Sequence, residues 1–90
     1  DFTKLMDRMA DGMWKNAMQA CKVAEHFRMN TDWYAKLKQA LSIREKYDKG
    51  CWLQLYLYKD LEYLFVRNKD VRSLEKLNKA YYSGDWSILL

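Results

Sequence analysis

The only histidine of the chain is the first residue to test for chemistry, because a general base or metal ligand needs a reactive partner within reach. His26 follows Glu25, and Cys21 lies five positions earlier, which puts the thiol on a different face of a helix. A protonated histidine near the end of a helix is stabilising without any partner. We therefore predict a surface or structural role for His26.

Other signatures of chemistry are missing from the sequence. It contains no HExxH, no Gly-rich phosphate loop, no GxSxG and no paired-carboxylate motif. Cys21 and Cys51 are thirty positions apart, which fits neither a disulfide framework nor a zinc site. We predict a protein that is not an enzyme, with no catalytic residue, metal, cofactor or small-molecule substrate. The two thiols are expected to be reduced and mostly buried, in an intracellular, reducing (cytoplasmic) compartment.

A stripe of basic residues near the end of the chain could neutralise phosphates. Arg72, Lys76 and Lys79 follow the i, i+4, i+7 spacing of one helix face, with Glu75 beside them. Such a stripe binds nucleic-acid backbone in a salt-dependent way. The alternative is the solvated polar face of an amphipathic helix. The net charge of +4 is compatible with both. The candidate phosphate contacts are Arg67, Lys69, Arg72, Lys76 and Lys79.

Large aromatic and Met side chains are abundant: four Trp, seven Tyr, three Phe and five Met in 90 residues. Folding at this size buries only about 60–65% of the unfolded surface, so some of them should stay exposed. Exposed aromatic and Met residues are typical of protein interfaces. The alternative is a small core built of large residues. At least one Trp is expected to be exposed. The candidate interface residues are Trp14, Trp33, Trp52, Tyr56, Tyr63 and Trp86.

The elements that must position these residues are predicted to be helices, because the chain has no Pro and only three Gly. Apolar residues recur at helical spacing through most of the chain. Asn30 and Asp70 are predicted N-caps, and Gly50 and Gly84 are predicted C-terminal ends. The predicted helices span residues 2–28, 31–49, 51–67 and 71–83, and a short helical turn follows them.

The stretch from Gly50 to Arg67, GCWLQLYLYKDLEYLFVR, is apolar nearly all round as a helix, which is typical of a buried one. The alternative is a hairpin over 51–67, which would make the fold α+β. Lys59 and Asp60 would form a poor two-residue turn, and most of the other residues are good helix formers. We favour a compact all-α bundle of about four helices whose third helix is central and buried.

Ninety residues make one helical domain, 1–90. The chain starts at Asp1 rather than Met, so we expect a trimmed or processed chain, or the ordered part of a longer one. No eighteen-residue uncharged run exists, so we predict no membrane partner. The predicted function is a non-enzymatic protein-binding module that docks on a protein partner or self-associates. The alternative is a small basic subunit that binds nucleic-acid backbone within a ribonucleoprotein or nucleoprotein complex.

Overall fold

The computed structural model describes residues 1–39 and 41–90. Three α-helices form the bundle: α1 (Phe2–His26), α2 (Ile43–Arg67) and α3 (Val71–Ser83). A first 3₁₀-helix (Asp32–Lys38) lies between α1 and α2, and a second (Trp86–Leu89) follows α3. The described residues contain no strand. The predicted all-α fold is therefore confirmed, and the alternative hairpin over 51–67 is wrong.

Local side-chain hydrogen bonds set the starts of the two later α-helices. The hydroxyl of Ser42 accepts from the Glu45 N–H, and the Glu45 carboxylate accepts from the Ser42 N–H, which together form a capping box at α2. The carboxylate of Asp70 accepts from the Ser73 N–H at the start of α3. Gly84 ends α3 with a left-handed φ of 79°. The predicted caps at Asp70 and Gly84 are confirmed.

The predicted helix boundary at Gly50 is wrong, because α2 passes through this residue without a break. Gly50 is buried, and a Cβ built on it would lie 3.0 Å from the backbone carbonyl of Met13 in α1. The glycine is therefore needed where two helices approach closely, and not for a left-handed cap.

The predicted helix over 31–49 is replaced by a first 3₁₀-helix and the start of α2. Asn30 does not cap an α-helix. Its side-chain oxygen accepts from the Asp32 N–H at 3.0 Å, which closes a turn at the start of the 3₁₀-helix. The capping box at Ser42 then begins α2 at Ile43, twelve residues later than the predicted start. Ala40, which falls within the predicted helix, lies outside the described residues.

Helices α1 and α2 lie side by side and run in the same direction. Met13 faces Gly50 near one end, and the Phe27 ring packs edge-on against the Phe65 ring near the other, with centroids 5.1 Å apart. The segment between the two helices must therefore return along the bundle. Its 3₁₀-helix lies against α2, where the Trp33 ring contacts the Tyr56 ring.

Helix α3 runs back along α2. The hydroxyl of Tyr58 on α2 donates to the side-chain oxygen of Asn78 on α3. Further along the chain, the indole of Trp86 donates to Gln54, which lies earlier on α2 than Tyr58. The chain therefore places α1, α3 and the second 3₁₀-helix against α2 around one core. The core combines small residues of α1, which allow close helix contact, with large residues from the other elements. Its buried members are Ala17, Ala20, Cys21, Val23, Ala24, Leu53, Leu57, Leu61, Phe65, Leu77, Ala80, Trp86 and Leu89.

The side-chain amide of Gln54 joins three elements inside this core. Its oxygen accepts from the Trp86 indole N–H at 2.9 Å. Its nitrogen donates to the carbonyl of Gly50 at 3.3 Å and to the carbonyl of Met13 at 3.4 Å. Gln54 is 5% exposed and Trp86 is fully buried. Removal of the amide would leave a buried indole N–H without its acceptor, which costs about 1–3 kcal/mol.

Only one side of α2 is buried, so the predicted central, buried helix is enclosed on that side alone. Leu53, Leu57 and Leu61 are enclosed, whereas Trp52 is 63% exposed and Tyr63 is 71% exposed. The reason is the placement of the other α-helices on the leucine side. The first 3₁₀-helix spans seven residues and covers only part of the opposite side.

Alanine substitutions at two helix glycines test the close approach of α1 and α2. A Cβ at Gly12 would meet nothing within 4 Å, so Gly12→Ala should raise the free energy of unfolding by about 0.5–1 kcal/mol. Gly50→Ala gains the same helix propensity but forces Met13 away, so we expect a net loss of about 1–2 kcal/mol. Urea unfolding measures both changes. Equal stabilisation by the two substitutions would contradict the packing at Gly50.

Candidate functional site

A groove of about 450 Å³ lies between the first 3₁₀-helix and the N-terminal half of α2. Most of its wall is aromatic or aliphatic, and its polar groups come from one stretch of α2. We call it the aromatic groove. It is lined by Trp33, Leu37, Glu45, Asp48, Lys49, Trp52, Leu53 and Tyr56.

Three aromatic rings from two elements form one wall of the aromatic groove. Trp52 and Tyr56 are one turn apart on α2, and the 3₁₀-helix brings Trp33 beside them. The Tyr56 ring meets the Trp33 ring at 6.1 Å and 69°, and the Trp52 ring at 6.2 Å and 80°. These edge-to-face contacts lie within the favoured range for aromatic pairs. Tyr56 therefore stands between the two indoles.

The backbone near Asn30 holds one of these indoles in place. The Trp33 indole N–H donates to the carbonyl of Asn30 at 3.1 Å. Trp33 and Leu37 are half-buried, whereas Trp52 and Tyr56 are 63% and 45% exposed. The 3₁₀-helix thus forms the side of the groove that is half-buried and held by a hydrogen bond, and α2 forms the side that is open to solvent.

The polar edge of the groove is held in ion pairs. The Lys49 ammonium lies 3.6 Å from a Glu45 oxygen, and the Arg44 guanidinium lies 2.9 Å from an Asp48 oxygen. Hydrogen bonds from the Ser42 side chain and backbone lower the pKa of Glu45, so its carboxylate is charged at neutral pH. Both pairs are largely exposed, so neither contributes much to stability.

The structure brings three of the six predicted interface residues together, since Trp33, Trp52 and Tyr56 all line the aromatic groove. Tyr63 lies two turns beyond Tyr56 on α2 and is exposed. The exposure of Trp52 meets the expectation that at least one tryptophan is exposed.

The two remaining candidates lie elsewhere. Trp14 is half-buried on α1 and does not line the groove. Trp86 is fully buried in the core, where its indole binds Gln54. It therefore presents no surface to a partner, and it has no part in the site proposed below.

The five predicted phosphate contacts are all exposed, and among the described residues none of them is in an ion pair. A carboxylate nevertheless lies among them. Hydrogen bonds from Ser73 lower the pKa of Asp70, and the nearby charges of Lys76 and Arg72 lower it further. Glu75 is exposed on the same helix. The basic stripe is therefore not free of negative charge.

The thiols and the histidine lie outside the aromatic groove. Cys21 is buried, and burial together with the nearby charge of Glu25 raises its pKa to about 12. Cys51 is half-buried, and burial raises its pKa as well. His26 is exposed with its ring packed edge-on against Phe27 at 5.2 Å. In the described part of the chain, no three His, Cys, Asp or Glu residues come together in a way that could hold a metal ion.

Sequence reasoning missed the polar edge of the groove because it ended a helix at Gly50. Once α2 is continuous, Glu45, Lys49, Trp52 and Tyr56 follow the i, i+4, i+7, i+11 spacing of one helix face. This spacing is visible in the sequence. The position of Trp33 against that face depends on the return of the chain after α1 and has no local signal.

Comparisons with known proteins give no indication of the function. No protein-family model matches the chain, and no curated protein or solved structure matches it significantly. None of the helices in residues 1–39 and 41–90 is long and apolar enough to cross a membrane.

The reactivity of the two thiols tests the burial of Cys21. At pH 8 a thiol with a pKa of about 12 is ionised in only about one molecule in ten thousand, and the thiolate is the reactive form. We expect an aromatic disulfide reagent to modify Cys51 first and Cys21 only after unfolding. Cys51→Ser should remove the fast phase, and Cys21→Ser should leave it unchanged. Equal rates for both thiols in the folded chain would contradict the structure.

Proposed function

We propose that this chain is a small, non-enzymatic protein-binding module whose aromatic groove receives a side chain of a partner protein. The observation that supports this function is the convergence of Trp33, Trp52 and Tyr56 on one concave, partly exposed surface. Tryptophan and tyrosine are enriched among the residues that dominate binding energy at interfaces. A pocket between such residues is a suitable site for a partner's anchor.

The exposed area indicates how strong such binding would be. Trp52 and Tyr56 together leave roughly 200 Å² open to solvent, on the usual size of aromatic side chains. Its burial would contribute about 5 kcal/mol, against an association cost of about 4–15 kcal/mol. The groove alone therefore supports weak, transient binding. Further contacts, such as those of the exposed Tyr63, would have to add affinity.

A different protein suits the groove better than a second copy of this chain. A two-fold axis would place the groove of one copy against the groove of the other, and two concave surfaces leave a gap between them. A second copy would have to insert a convex element, and such a head-to-tail contact continues from copy to copy. We therefore propose a heterologous partner. The unpaired Cys21 and Cys51 support an intracellular, reducing compartment for this interaction.

Peptide display tests the proposed function directly. Peptides selected on the folded chain should bind through the groove, so Trp52→Ala should weaken them about 30-fold, the loss typical of a hot-spot residue. Tyr82→Ala is the matched control, because Tyr82 is 81% exposed on α3 outside the groove. Titration calorimetry measures the affinities, and circular dichroism checks that both variants fold.

Two results would contradict the proposal. The first is that the selected peptides bind the wild-type chain and Trp52→Ala equally well. The second is a concentration-dependent assembly of the chain alone that disappears in Trp52→Ala, because it would make a second copy the occupant. Sedimentation velocity measures this assembly.

A second candidate function is binding to nucleic-acid backbone. It is supported by the five exposed basic residues, none of which is in an ion pair within the described chain. The logarithm of the affinity should fall linearly with the logarithm of the salt concentration, and each phosphate contact should add about 0.9 to the steepness of that line. The joint substitution of Arg72 and Lys76 by Gln should remove two contacts and so make the slope shallower by about 1.8. The same change at Lys4 and Arg8, which are exposed on α1, should leave it unchanged.

A gel-shift series at increasing salt measures this slope. Absence of any shift at low salt would exclude the second candidate. Equal effects of the two double substitutions would show that general charge, and not the basic stripe, causes the binding.

A further inference from the structure

We propose that the aromatic groove selects a methylated lysine side chain of the partner protein. This inference rests on the proposed function, since it names the chemistry of the anchor that the groove receives. It starts from the three rings and the charged groups that surround the open space of the groove.

The rings provide an electron-rich wall. The face of an aromatic ring is negative and attracts cations, and tryptophan attracts them most strongly. Trp33 and Trp52 each meet the Tyr56 ring at a steep angle, 69° and 80°, so the three rings do not lie in one plane. A cation that enters beside Tyr56 would meet more than one ring.

The ion pairs at the edge of the groove decide which kind of cation fits. Glu45 is engaged by Lys49, and Asp48 is engaged by Arg44. An unmodified ammonium or guanidinium would enter with N–H donors that need acceptors, and these carboxylates are already partly used. A trimethylated ammonium has no N–H donor and weaker hydration. It therefore loses less hydration free energy when it enters an apolar groove whose carboxylates are already engaged in ion pairs.

The same ion pairs show that attraction by net charge is not the basis of recognition. Two carboxylates face two cationic partners, so the edge of the groove is close to neutral. The rings must then provide the preference for a cation. The half-buried Leu37 lines the groove beside them and provides apolar contact for the alkyl stem of a lysine. This stem contact favours a lysine side chain over a free quaternary ammonium ion.

A set of short peptides tests the inference with the folded chain. One peptide carries a single trimethyllysine, a second carries unmodified lysine, and a third carries the neutral isostere in which carbon replaces the ammonium nitrogen. We expect the trimethyllysine peptide to bind roughly tenfold more tightly than either of the others. Free choline, measured alongside, should bind more weakly than the trimethyllysine peptide. Titration calorimetry at two salt concentrations measures the affinities, and the preference should change little with salt.

Variants of the groove sharpen the comparison. Trp52→Phe keeps a ring with a weaker pull on cations, so it should reduce the preference for trimethyllysine over the neutral isostere. Trp52→Ala should reduce it further. Tyr82→Ala should leave it unchanged, because Tyr82 lies on α3 outside the groove. Urea unfolding of each variant confirms that the fold is kept.

Three outcomes would overturn the inference. Equal binding of the trimethyllysine peptide and its neutral isostere would show an apolar anchor and would leave the proposed function standing. Equal binding of choline and the peptide would show that the lysine stem does not contribute to recognition. No binding of the trimethyllysine peptide at millimolar concentration would reject the methylated anchor. The proposed protein-binding function would then be judged separately, by the display selection on Trp52→Ala.

Discussion

The close contact of α1 with α2 determines the rest of this structure. Gly50 leaves room for the backbone of Met13, and the Gln54 amide one turn later binds the Met13 carbonyl and the Trp86 indole. A side chain at residue 50 or an apolar residue at 54 would disturb this contact, by overlap in the first case and by an unpaired indole in the second. Because α1, α3 and the second 3₁₀-helix all pack on this side of α2, the opposite side is left to one short 3₁₀-helix.

The aromatic groove is a consequence of that one-sided packing. On α2, Leu53 and Leu57 fill the core. The exposed parts of Trp52 and Tyr56 make no contact with that core, so they do not stabilise the fold. Exposed aromatic area is unfavourable in water, and its concentration beside Trp33 is the physical basis for proposing that a partner binds in the groove. The groove walls come from two elements that are distant in sequence. Its shape therefore depends on the same helix contact that builds the core.

The sequence predicts some features with local causes, whereas it does not predict the features whose causes lie far away in the chain. The cap at Asp70 depends on Ser73, three residues away, and was predicted. Gly50 has the same local signal whether it ends a helix or lies at a helix crossing, and only the position of α1 decides between them. The burial of Trp86 and the exposure of Trp52 likewise depend on which side of α2 the other helices cover. The role of Gln54 depends on partners 32 and 41 positions away.

The most direct test of the proposed recognition by the aromatic groove is the response of the four tryptophan indole N–H signals in a ¹⁵N–¹H spectrum during titration with a trimethyllysine peptide. The signals of Trp33 and Trp52 should shift together with one saturation curve. The signal of Trp86 should stay in place, because its indole is hydrogen-bonded to Gln54 in the core. A saturating shift of Trp14 or Trp86 without Trp52, or no shift of any indole signal, would contradict binding in the groove.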